Sequence, residues 1–150
     1  MVGPTTRRVA LLAIHPEHAT AILEGRKTVE FRKRRLASEI EHVPLYATWP
    51  MQKVVGYFRI ARLDQGSPTS IWQKHGDRGA ISRRRFRDYF AGTKTAVAIV
   101  VDIATSFDAP VSLRDVSGGA APPQSFAYLP GVVVNAIGHP RSKRRFSRNH

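Results

Sequence analysis

The chain has 150 residues, no cysteine, and 24 lysines and arginines against 11 acidic residues, which gives a net charge of +13. This length predicts one domain with its own core, and the lack of cysteine excludes structural disulfides and thiolate metal sites. The excess of positive charge favours a polyanionic partner, nucleic acid ahead of an anionic membrane surface. No apolar run approaches the roughly 20 residues of a membrane span, so we predict a soluble, cytoplasmic protein with no membrane partner.

The first sixty residues predict strands around a single helix. The apolar run 9–14 predicts a strand. The helix that follows begins at Pro16, a residue suited to the first helical position, and ends at Gly25. Strand-forming residues then predict three further strands, over 27–33, 43–48 and 53–61.

The rest of the chain predicts two helices and a central strand. Ser67 and Pro68 open one helix, and Ser82 caps another that ends at Gly92. The most apolar stretch, 95–104, is expected to be the central strand. Two later segments complete the prediction, an aromatic segment that packs back on the body, 124–129, and a short strand, 132–134.

These elements predict an α+β fold in a single domain, 8–138. About five strands with three helices leave too few crossovers for a doubly wound parallel sheet, so we predict a small mixed β-barrel with flanking helices. The leader 1–7 is expected to be flexible. The basic tail 139–150 has almost no apolar residue and is expected to be disordered in the free protein.

The segment GRKTVEFRKRR, which follows the first helix, combines high charge with a strand pattern. In an extended segment Thr28, Glu30 and Arg32 project from one face, while Val29 and Phe31 project from the other. A solvated charge run has no need of this alternation. One acid held among six bases on a strand indicates a site.

This segment resembles the G-x-K-x-x-E-x-R signature of ASCH domains, the activating signal cointegrator homology group. Gly25, Lys27, Glu30 and Arg32 match the signature. The resemblance extends over roughly 8–129. Further stretches similar to prokaryotic stand-alone ASCH proteins are Tyr46-Ala47-Thr48, Val55-Gly56, Ser67-Pro68 with Trp72, and Pro122-Pro123-Gln124-Ser125-Phe126.

The resemblance implies a PUA-like β-barrel and binding of RNA. Some small members are ribonucleases on single-stranded RNA, and others are amidohydrolases that deacylate acetylcytidine with a lysine and a threonine three residues later. Here the lysine matches Lys27, but Glu30 stands where that threonine is expected. The amidohydrolase activity is therefore the less favoured of the two.

We expect Lys27, Glu30 and Arg32 to form the floor of a cleft for single-stranded RNA, with DNA as a possible ligand. The alternative is that these residues form a purely structural ion pair at the mouth of the barrel. Base stacking and hydrogen bonding are expected from the cleft wall, and phosphate contacts from a basic helix. The predicted wall consists of Thr28, Tyr46, Trp49, Gln124 and Ser125, and the predicted phosphate contacts are Arg83, Arg84 and Arg87.

An enzyme is the alternative to a binding protein. In a ribonuclease, Lys27 would stabilise the pentacoordinate phosphate and Glu30 would deprotonate the 2′-hydroxyl without a metal ion. His15 and His18 lie at i, i+3 but have no third ligand near them in sequence, so we predict no metal site. No cofactor motif is present, and the sequence leaves the oligomeric state open.

Overall fold

The computed structural model describes residues 7–117, 121–131 and 140–145. They form one mixed sheet of seven strands and four α-helices, with a short 3-10 turn after the second helix. The strands are β1 (Val9–Ile14), β2 (Val29–Arg32), β3 (His42–Ala47), β4 (Lys53–Gly66), β5 (Ala96–Val111), β6 (Phe126–Leu129) and β7 (Pro140–Arg145). The helices are α1 (Pro16–Leu23), α2 (Pro68–His75), α3 (Arg83–Phe90) and α4 (Leu113–Ser117).

The sheet order is β2-β5-β4-β3-β1-β6, with β7 added beside β5. Only β1 and β3 are parallel, and the other pairs are antiparallel. The sheet curls into a half-barrel, which confirms the predicted α+β fold of barrel type. It has more strands and one more helix than predicted, because Leu113–Ser117 forms a helix of its own and 140–145 adds a strand.

Strands β4 and β5 extend beyond their predicted ends, to Gly66 and Val111. Their pairing continues through register shifts near Arg59 and Ile60, where the apolar alternation of the sequence breaks down. Bulges of this kind increase local twist, which curls a sheet. The long β4–β5 pair therefore forms the curved centre of the barrel.

Helix α1 brings the charged segment to the sheet. Pro16 occupies the first turn, and Gly25, with a φ of 86°, ends the helix in the left-handed conformation that glycine adopts most easily. The backbone N–H groups of Arg26 and Lys27 both donate to the carbonyl of Ala21, at 2.9 and 3.0 Å. This tight turn places Lys27 two residues before β2.

Helix α3 follows its predicted pattern. Ser82 accepts a hydrogen bond from the Arg85 backbone N–H at 3.1 Å, so it caps the helix as expected. Phe86 and Phe90 are buried against Phe31 and Trp72 in an apolar cluster on the outer face of β2 and β5. The arginines of the helix are left at the surface.

The basic tail differs from its prediction over 140–145, because these residues form β7. Strand β2 pairs with β5 only over Val97–Val100, so the same edge of β5 is open from Ile103 to Phe107. Strand β7 pairs antiparallel with that open edge. Backbone pairing at an exposed edge needs no apolar side chains, which is why composition did not indicate it. The predicted leader over 1–6 and the strand over 132–134 lie outside the described residues.

None of the described helices is long and apolar enough to cross a membrane.

We predict that Gly56→Ala lowers the free energy of unfolding by about 1–3 kcal/mol, the usual cost of overpacking. A Cβ at Gly56 would meet the backbone carbonyl of Thr105 in the neighbouring strand and lie 2.8 Å from Leu23 Cδ2. The leucine can rotate away, but the carbonyl is fixed by the strand. Urea unfolding measures the change, with exposed Gln73→Ala as the control. Equal stability of the two variants would contradict the prediction.

Candidate functional site

Lys27 is buried at the start of the charged strand. Its side chain is only 2% exposed, and its ammonium group donates a hydrogen bond to the backbone carbonyl of Gly79. The same nitrogen lies 3.2 Å from Glu30 Oε1. A buried ammonium needs such partners, since an unpaired charge in the interior is strongly unfavourable.

The second oxygen of Glu30 binds Arg32. Arg32 Nε donates to Glu30 Oε2 at 2.9 Å, and Nη2 donates to the carbonyl of Ala13 at 2.9 Å. Nη1 donates to Ser125 Oγ at 3.2 Å. One guanidinium thus joins β2, β1 and the segment that leads into β6.

The electrostatics of this cluster follow from burial and mutual attraction. Burial lowers the pKa of the Lys27 ammonium, although the Glu30 carboxylate opposes the shift. Burial alone would raise the pKa of Glu30, but the positive charges of Arg32 and Lys27 oppose it, and the net shift is downward. Glu30 is therefore a carboxylate held between two cations at neutral pH.

An open cleft of about 380 Å³ lies above this cluster. One wall comes from the β1–α1 junction and the other from α3 and its preceding loop. The polar and aromatic residues of the lining are His15, His18, Lys27, Glu30, Phe31, Arg32, Thr48, Arg85, Phe86, Tyr89 and Gln124.

The rim of the cleft carries groups that are less tightly held than its floor. Arg85 is exposed, and its Nη2 lies 3.4 Å from Oε1 of Glu17 on α1. Tyr89 is 40% exposed, and Lys33 Nζ lies 4.8 Å from the centre of its ring. These side chains can reach a ligand without leaving buried partners.

His18 is half-buried in the wall formed by α1. Burial lowers the pKa of its imidazole, and the charge of Lys27 lowers it further, while Glu30 and Glu17 oppose the shift. The ring is consequently neutral at pH 7, when it can accept a proton.

The structure brings together only some of the predicted site residues. Lys27, Glu30 and Arg32 meet as expected, and Ser125 and Gln124 join them at the cleft. Trp49 is 76% exposed and directly follows Thr48 of the lining, so it lies beside the cleft and not in it.

Thr28 and Tyr46 do not line the cleft. Thr28 precedes β2; its backbone N–H donates to the carbonyl of Arg78, and its carbonyl accepts from the N–H of Val101. Tyr46 is only 4% exposed, because the alternation of β3 directs it into the apolar cluster around Val54. It is a core residue, contrary to its predicted place in the wall.

The arginines of α3 separate onto different sides of the helix. Arg83 and Arg87, one turn apart, line a second groove of about 460 Å³ with Trp72. Arg85 lines the main cleft. Arg84 is exposed and lines neither opening.

The predicted site residues did not include His18, Arg85 and Tyr89, which line the cleft. The two histidines were considered only as metal ligands. Helical spacing held the missing signal for Arg85, because residues two positions apart lie on different helix faces. Within the described ranges no group of three or more His, Asp and Glu could hold a metal ion.

Comparison with known proteins gives one consistent relationship. The chain is 33% identical over 127 residues to an ASCH domain-containing ribonuclease of Zymomonas mobilis, covering 82% of this chain and 85% of that protein. A crystal structure of the Zymomonas mobilis ASCH protein superposes with a TM-score of 0.77 at 31% identity, covering 84% of this chain and 90% of the other. A crystallised Ser-to-Ala variant of that protein gives a TM-score of 0.79 at 30% identity, with coverages of 87% and 94%. No family model matches the chain.

We predict that Glu30→Gln lowers the free energy of unfolding by about 3–5 kcal/mol, the usual effect of breaking a buried ion pair. The substitution leaves Lys27 buried without a counter-charge, whereas Lys27→Met leaves Glu30 still paired with Arg32. Lys27→Met should therefore cost less. Urea unfolding at pH 7 measures both variants, and Glu39→Gln, in an exposed ion pair, is the matched control.

The pH dependence of stability gives a second readout of Glu30. Its folded-state pKa lies below the ordinary 4.5, so the unfolded chain takes up the proton first as the pH falls. The stability that Glu30 contributes is present above about pH 4.5 and is lost as the pH falls through the folded-state pKa. The acid loss should be shallower in Glu30→Gln. An unchanged acid profile together with unchanged stability would contradict this account of the pair.

Proposed function

The chain belongs to the ASCH domain family, and from this membership we propose that it binds single-stranded RNA in the cleft above Glu30. The family and a relative named as a ribonuclease support an RNA-related function in general. The observation that carries the finer proposal is the cleft itself, which combines a buried charged floor with an exposed cationic and aromatic rim.

The buried floor and the exposed rim of the cleft have different roles. Lys27 is enclosed, and Arg32 already donates to Glu30, Ala13 and Ser125. These cations hold the floor in place. Arg85 is the cation that a phosphate can reach directly, because its only described ion pair is an exposed one.

The cleft is suited to an unpaired nucleotide. Its volume of about 380 Å³ lies in the range of small-ligand pockets, so it would admit one splayed nucleotide and not a duplex. Sequence-specific RNA recognition uses such splayed bases, which stack on aromatic side chains. Tyr89 in the lining and Trp49 beside it are candidates for stacking.

Phosphates outside the cleft would meet the other basic residues. Arg83 and Arg87 line the neighbouring groove on the far side of α3, and Phe86 lines both openings. An RNA strand that leaves the cleft across α3 would pass from Arg85 to Arg83 and Arg87. With a net charge of +13, the protein should bind with a strong salt dependence.

Cleavage of the bound RNA is the second candidate function. It is favoured by the position of His18 in a cleft that also holds cations, where burial lowers the pKa of the imidazole. The amidohydrolase alternative has less support, because Glu30, at the position where a threonine is expected, has both oxygens engaged by cations.

We predict that Arg85→Ala weakens binding of a short single-stranded RNA about tenfold, the loss of one charge-assisted contact. The slope of log affinity against log salt should fall by about one. Arg84→Ala is the matched control, since it removes the same charge from the same helix at a position outside both openings. Fluorescence anisotropy at several salt concentrations measures both. Equal losses in the two variants would contradict a role for the cleft.

Cleavage is tested on end-labelled single-stranded RNA, with a single-stranded DNA of the same sequence as the control. We expect fragments from the RNA alone, in parallel reactions with EDTA and with added Mg²⁺. RNA fragments in the reaction with EDTA would support cleavage by side chains of the protein alone. Fragments only in the reaction with Mg²⁺ would contradict metal-independent cleavage. RNA that is bound but intact would leave binding as the function and contradict cleavage. RNA that is neither bound nor cut would contradict both.

A further inference from the structure

We propose that His18 accepts the proton of the RNA 2′-hydroxyl when RNA is cleaved in the cleft. This inference rests on the proposed cleavage function and names the residue that would perform its proton transfer. It replaces Glu30, the residue that sequence reasoning favoured for this role.

The position of His18 suits a residue that meets a ligand. It is the third residue of α1, its ring lines the cleft, and its side chain is half-buried. The hydrogen bonds and ion pairs of the floor join Lys27, Glu30, Arg32 and Ser125, and none of these bonds involves His18. Its ring therefore stands beside the charged cluster without being one of the groups that hold it together.

The charged groups of the cleft and Tyr89 are poorly suited to accept a proton. Both oxygens of Glu30 are engaged by cations, and its depressed pKa makes it a weak base. Lys27 is enclosed and donates to Gly79. The guanidinium groups of Arg32 and Arg85 carry hydrogen-bond donors and no acceptor, and burial raises the pKa of Tyr89, which keeps its hydroxyl protonated.

The surroundings of His18 keep its imidazole neutral near pH 7. Burial and the nearby charges of Lys27 and Arg85 disfavour the protonated ring, whereas Glu30 and Glu17 favour it. The first turn of a helix adds a positive partial charge that also disfavours an imidazolium. A base whose pKa lies below the working pH is mostly in the neutral form that accepts a proton.

The reaction then balances without a co-reactant. The 2′-hydroxyl gives its proton to the imidazole of His18, and the 2′-oxygen forms a bond to phosphorus. The bond from phosphorus to the 5′-oxygen breaks, and that oxygen takes a proton from water in the open cleft. The imidazolium returns its proton to solvent. The products are a 2′,3′-cyclic phosphate and a 5′-hydroxyl end. Arg85 lines the same cleft, so its positive charge would stabilise the negative charge on the pentacoordinate phosphorus.

The test compares His18→Ala with His42→Ala. His42 is also a half-buried histidine, but it lies on β3 and does not line the cleft, so it is a matched control. We expect His18→Ala to lower kcat by about 10²–10⁴-fold, the usual contribution of a positioned base. RNA affinity should change less than about twofold. Circular dichroism and thermal unfolding check that both variants fold.

Two further readouts separate proton transfer from a structural role. The wild-type rate should fall as the pH drops below the ordinary histidine value of 6.5, and this acid limb should be absent in His18→Ala. Added imidazole should restore part of the His18→Ala rate and have no effect on wild type. A single deoxynucleotide in the RNA should block cleavage at that position, and the released end should be a cyclic phosphate.

Several outcomes would overturn the proposal. A His18→Ala rate within about threefold of wild type, an equal loss in His42→Ala, or a loss confined to RNA affinity would each contradict proton transfer by His18 while wild-type cleavage stands. Wild-type protein that binds RNA but leaves it intact would contradict the cleavage function and this role together. The two failures are therefore distinguishable in one experiment.

Discussion

Each oxygen of the buried Glu30 carboxylate binds a different cation, Lys27 on one side and Arg32 on the other. Through these cations the carboxylate connects Gly79 before α3, Ala13 at the end of β1 and Ser125 before β6. These contacts fix the floor and both walls of the cleft relative to one another. Desolvating three charges is unfavourable unless every partner is present, so the cluster holds one arrangement.

The fold was predictable where its signals are local. The strand Val9–Ile14 was predicted at its observed bounds, and Pro16, Ser67 and Ser82 marked the helix starts at which the structure has them. Caps and alternation act over a few residues, so a single sequence displays them. The same locality let the sequence place Glu30 and Arg32 on one face of β2.

The sequence predictions that differ from the structure concern residues whose positions depend on contacts between distant segments. Tyr46 is in the core because β3 lies between β1 and β4, and this pairing is not readable from β3 alone. Strand β7 exists because β2 covers only part of β5. His18 is a cleft residue because α3 and the segment around Gln124 line the same cleft as α1. In each case tertiary position, not residue type, decided the role.

The wide sequence separation of the cleft residues also affects when the cleft of a newly made chain can form. The floor needs Ser125 together with Ala13, and β1 lacks one of its two neighbours until β6 has been synthesised. Pairings this distant close late, because the entropy of a long loop is lost before any contact is gained. A ribosome-bound chain that ends before residue 125 would therefore expose its basic segments without an assembled cleft. Such a chain would carry most of the protein's positive charge without the completed site.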